Sequence, residues 1–323
     1  MRLPDGDRIP LVPKRHAIAI HILSGYWVLI DSVPFRSGSH RNDTMAAKTF
    51  VHLTDLHICE ADGAEADNSS DTLGTLRKVL EIIKNIPQKP SFIAVSGDLT
   101  DRGDIESYRL VRGLIDDLDM PVVYALGNHD TRAGFYRGML DRSRNLRVTY
   151  DHETVIDGIH IIVLDSSRGD RIGGVLDLAQ FDFLDAALDR EAGLPKLLMV
   201  HHPPALDDDA DEWASIRLAD SRRLGDLIRD RNVIGMLCGH IHQDRVAHWH
   251  GVPVIVGNGH HSQLDILHPH HEIRMLEGAS IGLCTVRPSG LTVNFIPLPS
   301  QRRELAVFPR GDLQEGETEG TEG

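Results

Sequence analysis

Apolar positions along the chain repeat with two periods. Short runs of consecutive apolar residues have the length and content of buried strands. They begin with Phe50, Val51 and Leu53 and continue at 91–95, 121–126, 160–164, 196–200 and 233–237. Between them, Leu73, Leu76, Leu80 and Ile83 share one helical face, with Asp71 as its cap and Pro87 beyond its end. Ile105, Tyr108, Val111, Leu114, Ile115 and Leu118 form a second stripe, and further helices are predicted at 177–188 and 221–229. After Gly239 the helical stripes stop. Strand-like runs follow at 244–249, 252–256, 281–286 and 291–295. A β-α-β first half followed by strands predicts an α/β (α+β) domain of stacked sheets flanked by helices.

The two ends differ from this pattern. In residues 1–44, Lys14 and Arg15 precede an apolar run at 17–30, interrupted by His21. The run is too short for a comfortable membrane span, and no small-residue cleavage site follows it. Residues 1–44 are therefore expected to be a non-structural leader, disordered or upstream of the true start. A signal or anchor and a packed element are the alternatives. Residues 45–300 are expected to form the folded domain. Residues 301–323 are expected to be an acidic, disordered tail, because 311–323 carry few large apolar side chains. With no membrane association foreseen, the expected location is the cytoplasm.

Charge narrows the partners. The formal net charge is −14, from 34 basic and 48 acidic side chains, which argues against a nucleic-acid-binding surface. Cys59, Cys238 and Cys284 are too far apart in sequence to suggest a disulfide framework or a thiolate metal site. They read as small buried hydrophobes. The 19 histidines matter because they cluster.

Five polar strings carry candidate chemistry, most of them directly after a predicted strand. Asp55 and His57 lie two apart, so an extended chain would point both the same way. Gly97 and Asp98 follow the strand at 91–95; the two oxygens of Asp98 suit a bridge between two cations, while Asp101 and Asp104 read better as turn or cap residues. Asn128 offers an amide oxygen, and His129 beside it suits a proton donor to a reacting oxygen. Asp130 is expected to hold the His129 ring in one tautomer. His201 and His202 precede two prolines, one expected as a ligand and the other as its support. His240 and His242 would face one side of an extended segment. Each string alone is also what a solvated loop can show. Together they supply Asp55, His57, Asp98, Asn128, His201, His240 and His242, enough for two cations a few ångström apart. Carboxylate, amide and imidazole donors suit Mn, Fe or Zn.

The order D-x-H, G-D, G-N-H-D, H-H-P-P, G-H-x-H, from about Phe50 to His242, resembles the calcineurin-like metallophosphoesterases. Within them the chain looks most like the class III cyclic nucleotide phosphodiesterases. The resemblance implies a four-layer αββα sandwich of two mixed β-sheets and a dinuclear centre of divalent or trivalent metal ions. By the family pattern, Asp55, His57 and His242 hold one metal, Asn128, His201 and His240 hold the other, and Asp98 bridges. His201 is preferred to His202 because the family string reads His, any residue, Pro. The implied reaction is attack of a metal-bridging hydroxide on phosphorus, with His129 protonating or stabilising the departing oxygen. Asn128, His129, Arg132 and His202 are expected to contact substrate.

The implied partner is a small phosphodiester, with no nucleic acid and no membrane. Few cationic side chains accompany the strings, only Arg102 and Arg132 lying just beyond them. A monoester dianion would gain more from such clamps than a diester. The first expectation is 3′,5′-cyclic AMP. A 2′,3′-cyclic nucleotide, a glycerophosphodiester, a phosphomonoester and a non-catalytic scaffold of the same fold are the alternatives. The stretch 259–271, with His260, His261, His268, His270 and His271, reads as a solvated loop; a pocket wall or a homo-oligomer contact is the other reading.

Overall fold

The computed structural model of the protein describes residues 47–60, 70–269 and 271–313. The elements run β1 (Lys48–Leu53), α1 (Thr72–Lys84), β2 (Ile93–Val95), α2 (Ile105–Ile115), β3 (Val122–Tyr124), α3 (Arg132–Gly138), β4 (His152–Ile156) and β5 (Ile159–Leu164). They continue α4 (Leu178–Asp189), β6 (Lys196–Val200), α5 (Leu218–Ile228), β7 (Val233–Cys238), β8 (Arg245–Trp249) and β9 (Val252–Val256). The last are β10 (Gln263–Leu264), β11 (Glu272–Leu276), β12 (Ser280–Arg287), β13 (Gly290–Pro297) and β14 (Glu304–Pro309).

Two mixed sheets form, ordered β13-β12-β1-β2-β3 and β4-β5-β6-β7-β9-β8. Their strands alternate between two apolar faces. In β1, in β2 and just before β2, Phe50, Phe92 and Ala94 face the other sheet, while Val51, Leu53, Ile93 and Val95 face the helices. In β5 and β6, Ile161, Val163, Leu197 and Met199 face inward, while Ile162, Leu164, Leu198 and Val200 meet α4 and α5. Phe50 and Phe92 stack at 4.7 Å in the seam between the sheets. One core between the sheets and one under each helical layer make the four-layer αββα sandwich. Cys238 and Cys284 are buried in these cores, and burial pushes both thiols up, so they pack rather than react.

The helices start where the sequence placed caps. Asp71 accepts from Gly74 N at 2.8 Å, Asp104 from Ser107 N at 2.8 Å, and Asp177 with Gln180 closes a capping box before α4.

One boundary needs correction. Residues 304–309 are not a disordered tail. They form β14, which pairs antiparallel with β11 in a third sheet, ordered β10-β11-β14. The folded region therefore runs past 300, to at least Leu313. The leader assigned to 1–44 and the end of the tail, 314–323, lie outside the described residues.

Candidate metal centre

Strand ends deliver the polar strings to one place. Asp55 and His57 follow β1, Asp98 follows β2, Asn128 and His129 follow β3, His201 follows β6, and His240 and His242 follow β7. All except Asn128 fall into groups whose donor atoms lie within 4.8 Å of one another: Asp55 with His57 and His242; Asp55 with Asp98 and His201; and His201 with His202 and His240. A further group joins His57, Asp101 and His129.

The local backbone is not the extended chain the spacing suggested. Asp55, His57, Asp98, His240 and His242 all sit at positive φ, between 45° and 74°. Left-handed backbone costs a residue with a Cβ on the order of 1–3 kcal/mol and persists where the surroundings impose it. These turns separate the two histidines of the H-x-H string, so His242 joins Asp55 and His57 while His240 joins His201. Space is equally tight. A Cβ on Gly97, itself at φ +111°, would stand 2.5 Å from His201 Nδ1, and one on Gly239 would stand 1.9 Å from Thr54 Oγ1.

Hydrogen bonds fix the tautomers. His57 Nδ1 lies 3.3 Å from Asp101 Oδ1, His201 Nδ1 donates to Ser96 O at 2.9 Å, and His242 Nδ1 to Ser262 O at 3.1 Å. Each leaves Nε2 turned to a carboxylate: His57 Nε2 is 3.6 Å and His201 Nε2 3.2 Å from Asp98 Oδ2, and His242 Nε2 is 3.4 Å from Asp55 Oδ1. His240 is the mirror case, giving Nε2–H to Trp213 O at 2.5 Å and leaving Nδ1. A lone pair facing a carboxylate oxygen calls for a positive centre between them. The buried Asn128 Oδ1, with no hydrogen-bond donor, makes the same demand. The residues present fit metal ions.

Charge shifts agree with that demand. Burial would raise Asp55 and Asp98, but the surrounding histidines hold both carboxyls below the usual range. Burial would lower His201, yet Asp98 lifts it to about 9, so a proton and a cation compete for the same nitrogen. Burial drops His240 to about 4, which keeps its imidazole neutral and its lone pair available.

Three expected contacts fall elsewhere. Asp130 does not hold the His129 ring; its carboxylate accepts from Leu99 N, Thr100 N, Gly127 N and Tyr108 Oη at 2.8–3.3 Å, beneath two ligand loops. The ring partner is Asp101, whose backbone oxygen accepts from His129 Nδ1 at 2.9 Å. His202 is engaged at both nitrogens, by Ser166 Oγ at 2.7 Å and Ile172 O at 2.8 Å, which leaves none for substrate or metal. Arg132 is held by Asp165 Oδ2 at 2.7 Å and Ser167 O at 2.9 Å, so it anchors a loop.

Some neighbours of the cluster carry no clear signal in the sequence. The solvated-loop reading of 259–271 fails at its start, 259–262, whereas Ile266 and Leu267 further along are exposed. His260 is buried and its N–H donates to Asp55 O at 3.0 Å, the His261 ring lies 4.8 Å from that of His57, and Ser262 receives His242. No helix among the described residues is long and apolar enough to cross a membrane.

Comparison with known proteins agrees with this geometry. The family description "calcineurin-like phosphoesterase" matches residues 48–244, which contain every one of the seven expected ligands. A cAMP/cGMP dual specificity phosphodiesterase from Mycobacterium tuberculosis is 31% identical over 77% of this chain and 79% of its own length. A probable cyclic nucleotide phosphodiesterase from Rhodococcus erythropolis is 33% identical over 64% of this chain and 69% of its own. A dimetal phosphatase from Danio rerio shares the fold, with a TM-score of 0.52 at 14% identity over 79% of this chain and 99% of its own. A matched family spanning the ligand strings, relatives above 30% identity, and imidazoles turned toward shared carboxylates lead to one conclusion: this chain belongs to the calcineurin-like phosphoesterases, in their cyclic nucleotide phosphodiesterase-like class.

Proposed function

We propose that the chain hydrolyses 3′,5′-cyclic nucleotides, cyclic AMP foremost, to nucleoside monophosphates at a two-metal centre. In this reading Asp55, His57 and His242 hold one ion, and Asn128, His201 and His240 hold the other. Asp98 is shared, since its Oδ2 faces both His57 and His201. When bound, two such ions make a nucleophilic hydroxide available near neutral pH and offset charge on the phosphate oxygens. Mn, Fe and Zn all suit this donor set.

The chain's own groups do the rest. His129 is the partly exposed imidazole at the edge of the cluster; Asp98 and Asp101 raise its pKa against burial. With Nδ1–H held by Asp101 O, its Nε2 is free to carry the proton that the departing sugar oxygen takes up. Hydrolysis adds one water: its oxygen joins phosphorus, the P–O bond to the leaving carbon oxygen breaks, and that oxygen gains a proton.

The observation that carries the diester reading is the cavity at the cluster. Of the described residues lining it, none is Lys or Arg, and Asp98, Asn128, His129, His240 and His242 form its polar side. A monoester dianion would leave more charge unbalanced there than a singly charged diester. The relatives named as cyclic nucleotide phosphodiesterases support the choice of diester. The test compares kcat/KM for 3′,5′-cyclic AMP, 3′,5′-cyclic GMP, 2′,3′-cyclic AMP, a glycerophosphodiester and a phosphomonoester, under one Mn concentration and after chelation. Cyclic AMP a hundredfold worse than another diester would overturn the substrate. Full turnover in protein shown to be metal-free would overturn the mechanism.

A further inference from the structure

The cavity at the cluster has two unlike sides. Its apolar lining includes Ile172, Trp213, Leu264, Ile273, Met275 and Phe308. Leu264, Ile273, Met275 and Phe308 come from the third sheet, and Ile273 and Phe308 are partners across β11 and β14. That sheet lies wholly beyond residue 244, where the family match ends.

Size and chemistry indicate its occupant. The cavity holds about 130 Å³, less than the roughly 300–1,000 Å³ of small-molecule sites. A second cavity of about 370 Å³ adjoins it and shares Trp213, Ile241, Leu264 and Ile273 as walls. Together they have room for a phosphate at the metals and a nucleoside reaching outward. Glycerol or choline would leave the apolar wall facing water. The Trp213 indole Nε1 is a buried donor with no acceptor. A heteroaromatic base supplies both a flat apolar face and ring acceptors. The wall is also held in place: Trp213 O receives His240 Nε2–H, and Arg310, just after β14, pairs with Asp211, two residues before Trp213.

We propose that Trp213 and the β10-β11-β14 sheet, through Met275 and Phe308, form the subsite for the purine base of the substrate. This rests on the cyclic nucleotide reading above and adds the residues that select a nucleoside. They are specificity residues and do not touch the reacting atoms.

The test uses the full-length, Mn-loaded protein and measures 5′-AMP and inorganic phosphate as competitive inhibitors of bis(p-nitrophenyl) phosphate hydrolysis. Wild type should bind AMP more tightly than phosphate. Phe308→Ala should weaken AMP roughly 5- to 100-fold, the span for losing one base–aromatic stack, with phosphate inhibition and metal content unchanged. Phe308→Leu, which keeps the apolar volume of the strand pair, should fold as wild type and still lose part of that affinity. Trp213→Phe should weaken AMP by about 2- to 10-fold, as for one lost hydrogen bond. Unchanged AMP inhibition in the Phe308 variants, or equal losses for AMP and phosphate, would overturn the subsite. So would a wild type that binds AMP no better than phosphate, whatever diester it hydrolyses. AMP inhibition that exceeds phosphate inhibition and depends on Phe308, in a protein inert toward cyclic nucleotides, would uphold the subsite and refute only the cyclic nucleotide substrate.

Discussion

Replacing Asp130 with Ala tests whether this carboxylate serves the chemistry or the frame beneath it. Its oxygens accept the backbone N–H groups of Leu99, Thr100 and Gly127 at 3.2, 3.3 and 3.0 Å, and Tyr108 Oη at 2.8 Å. Tyr108 Oη has a second acceptor in Thr131 O at 3.5 Å and the Thr100 Oγ1 contact is long at 3.4 Å, so the three backbone donors carry most of the loss. Each stranded buried donor costs about 1–3 kcal/mol. Neighbouring losses are not additive and water can enter the space, so the low end, about 3–5 kcal/mol in total, is the expectation. At about 2–4 °C per kcal/mol for a domain of this order of size, the melting temperature should fall by roughly 6–20 °C. Asp130→Asn should fall between, because one oxygen remains while the new NH2 faces N–H donors. The assay is urea and thermal unfolding at fixed Mn, with metal content measured alongside. If Asp130→Ala unfolds within about 1 kcal/mol of wild type and retains its metal yet turns over slowly, Asp130 acts on His129 and the anchoring account is wrong.

Three further outcomes are expected. His129→Ala should keep its metals and lose roughly 10²–10⁴-fold in turnover, more for alkoxide than for nitrophenolate leaving groups; equal losses would count against proton donation. Asp101→Ala should weaken Mn binding by titration calorimetry about 10–100-fold, because it removes the acceptor for His57 Nδ1 while keeping the backbone oxygen that holds His129; unchanged affinity would show that His57 needs no support. Gly97→Ala should destabilise the protein by more than about 1–2 kcal/mol, given φ +111° and a Cβ 2.5 Å from His201 Nδ1, and a wild-type melting temperature would mean the loop relaxes freely.

How far the sequence could be read depended on the range of the interaction. Strand β6 coincides with the apolar run that marks it, and Asp71, Asp104 and Asp177 cap the helices that follow, since periodicity and caps are local. The convergence of Asp55, His57, Asp98, His201, His240 and His242 was legible too, because strand ends gather them whatever the loop geometry. Hydrogen-bond partners were not. Asp101 and Asp130 look alike as turn aspartates, and only left-handed backbone at Asp98 and the neighbouring loops decides which meets a histidine. The edge strand β14 was missed because its residues Leu305, Ala306, Val307 and Phe308 sit between charged residues and a proline. Without the pairing to β11 that run resembles a tail. The 259–271 histidines show no periodic signal; His260 is buried and His261 half-buried because that part of the loop wraps over Asp55 and His57.

The origin of the ligands bears on how the protein matures. Asp55, His57, Asp98 and Asn128 hang from the β1-β2-β3 side, and His201, His240 and His242 from the β6-β7 side. Each proposed ion draws donors from both, so neither sheet alone offers a complete coordination sphere. A chain with only one sheet formed would have little to compete with free chelators. Loading then follows docking of the two sheets, and an ion once seated works as a rivet through the sandwich. It adds RT ln(1 + [M]/Kd) to the free energy of prising the layers apart, about 2.7 kcal/mol at a hundredfold excess over Kd. In a metal-poor cell, newly made copies would lack that reinforcement and present the seam around Phe50 and Phe92 to proteases more often. Metal supply would then govern how many molecules survive as well as how fast each one works.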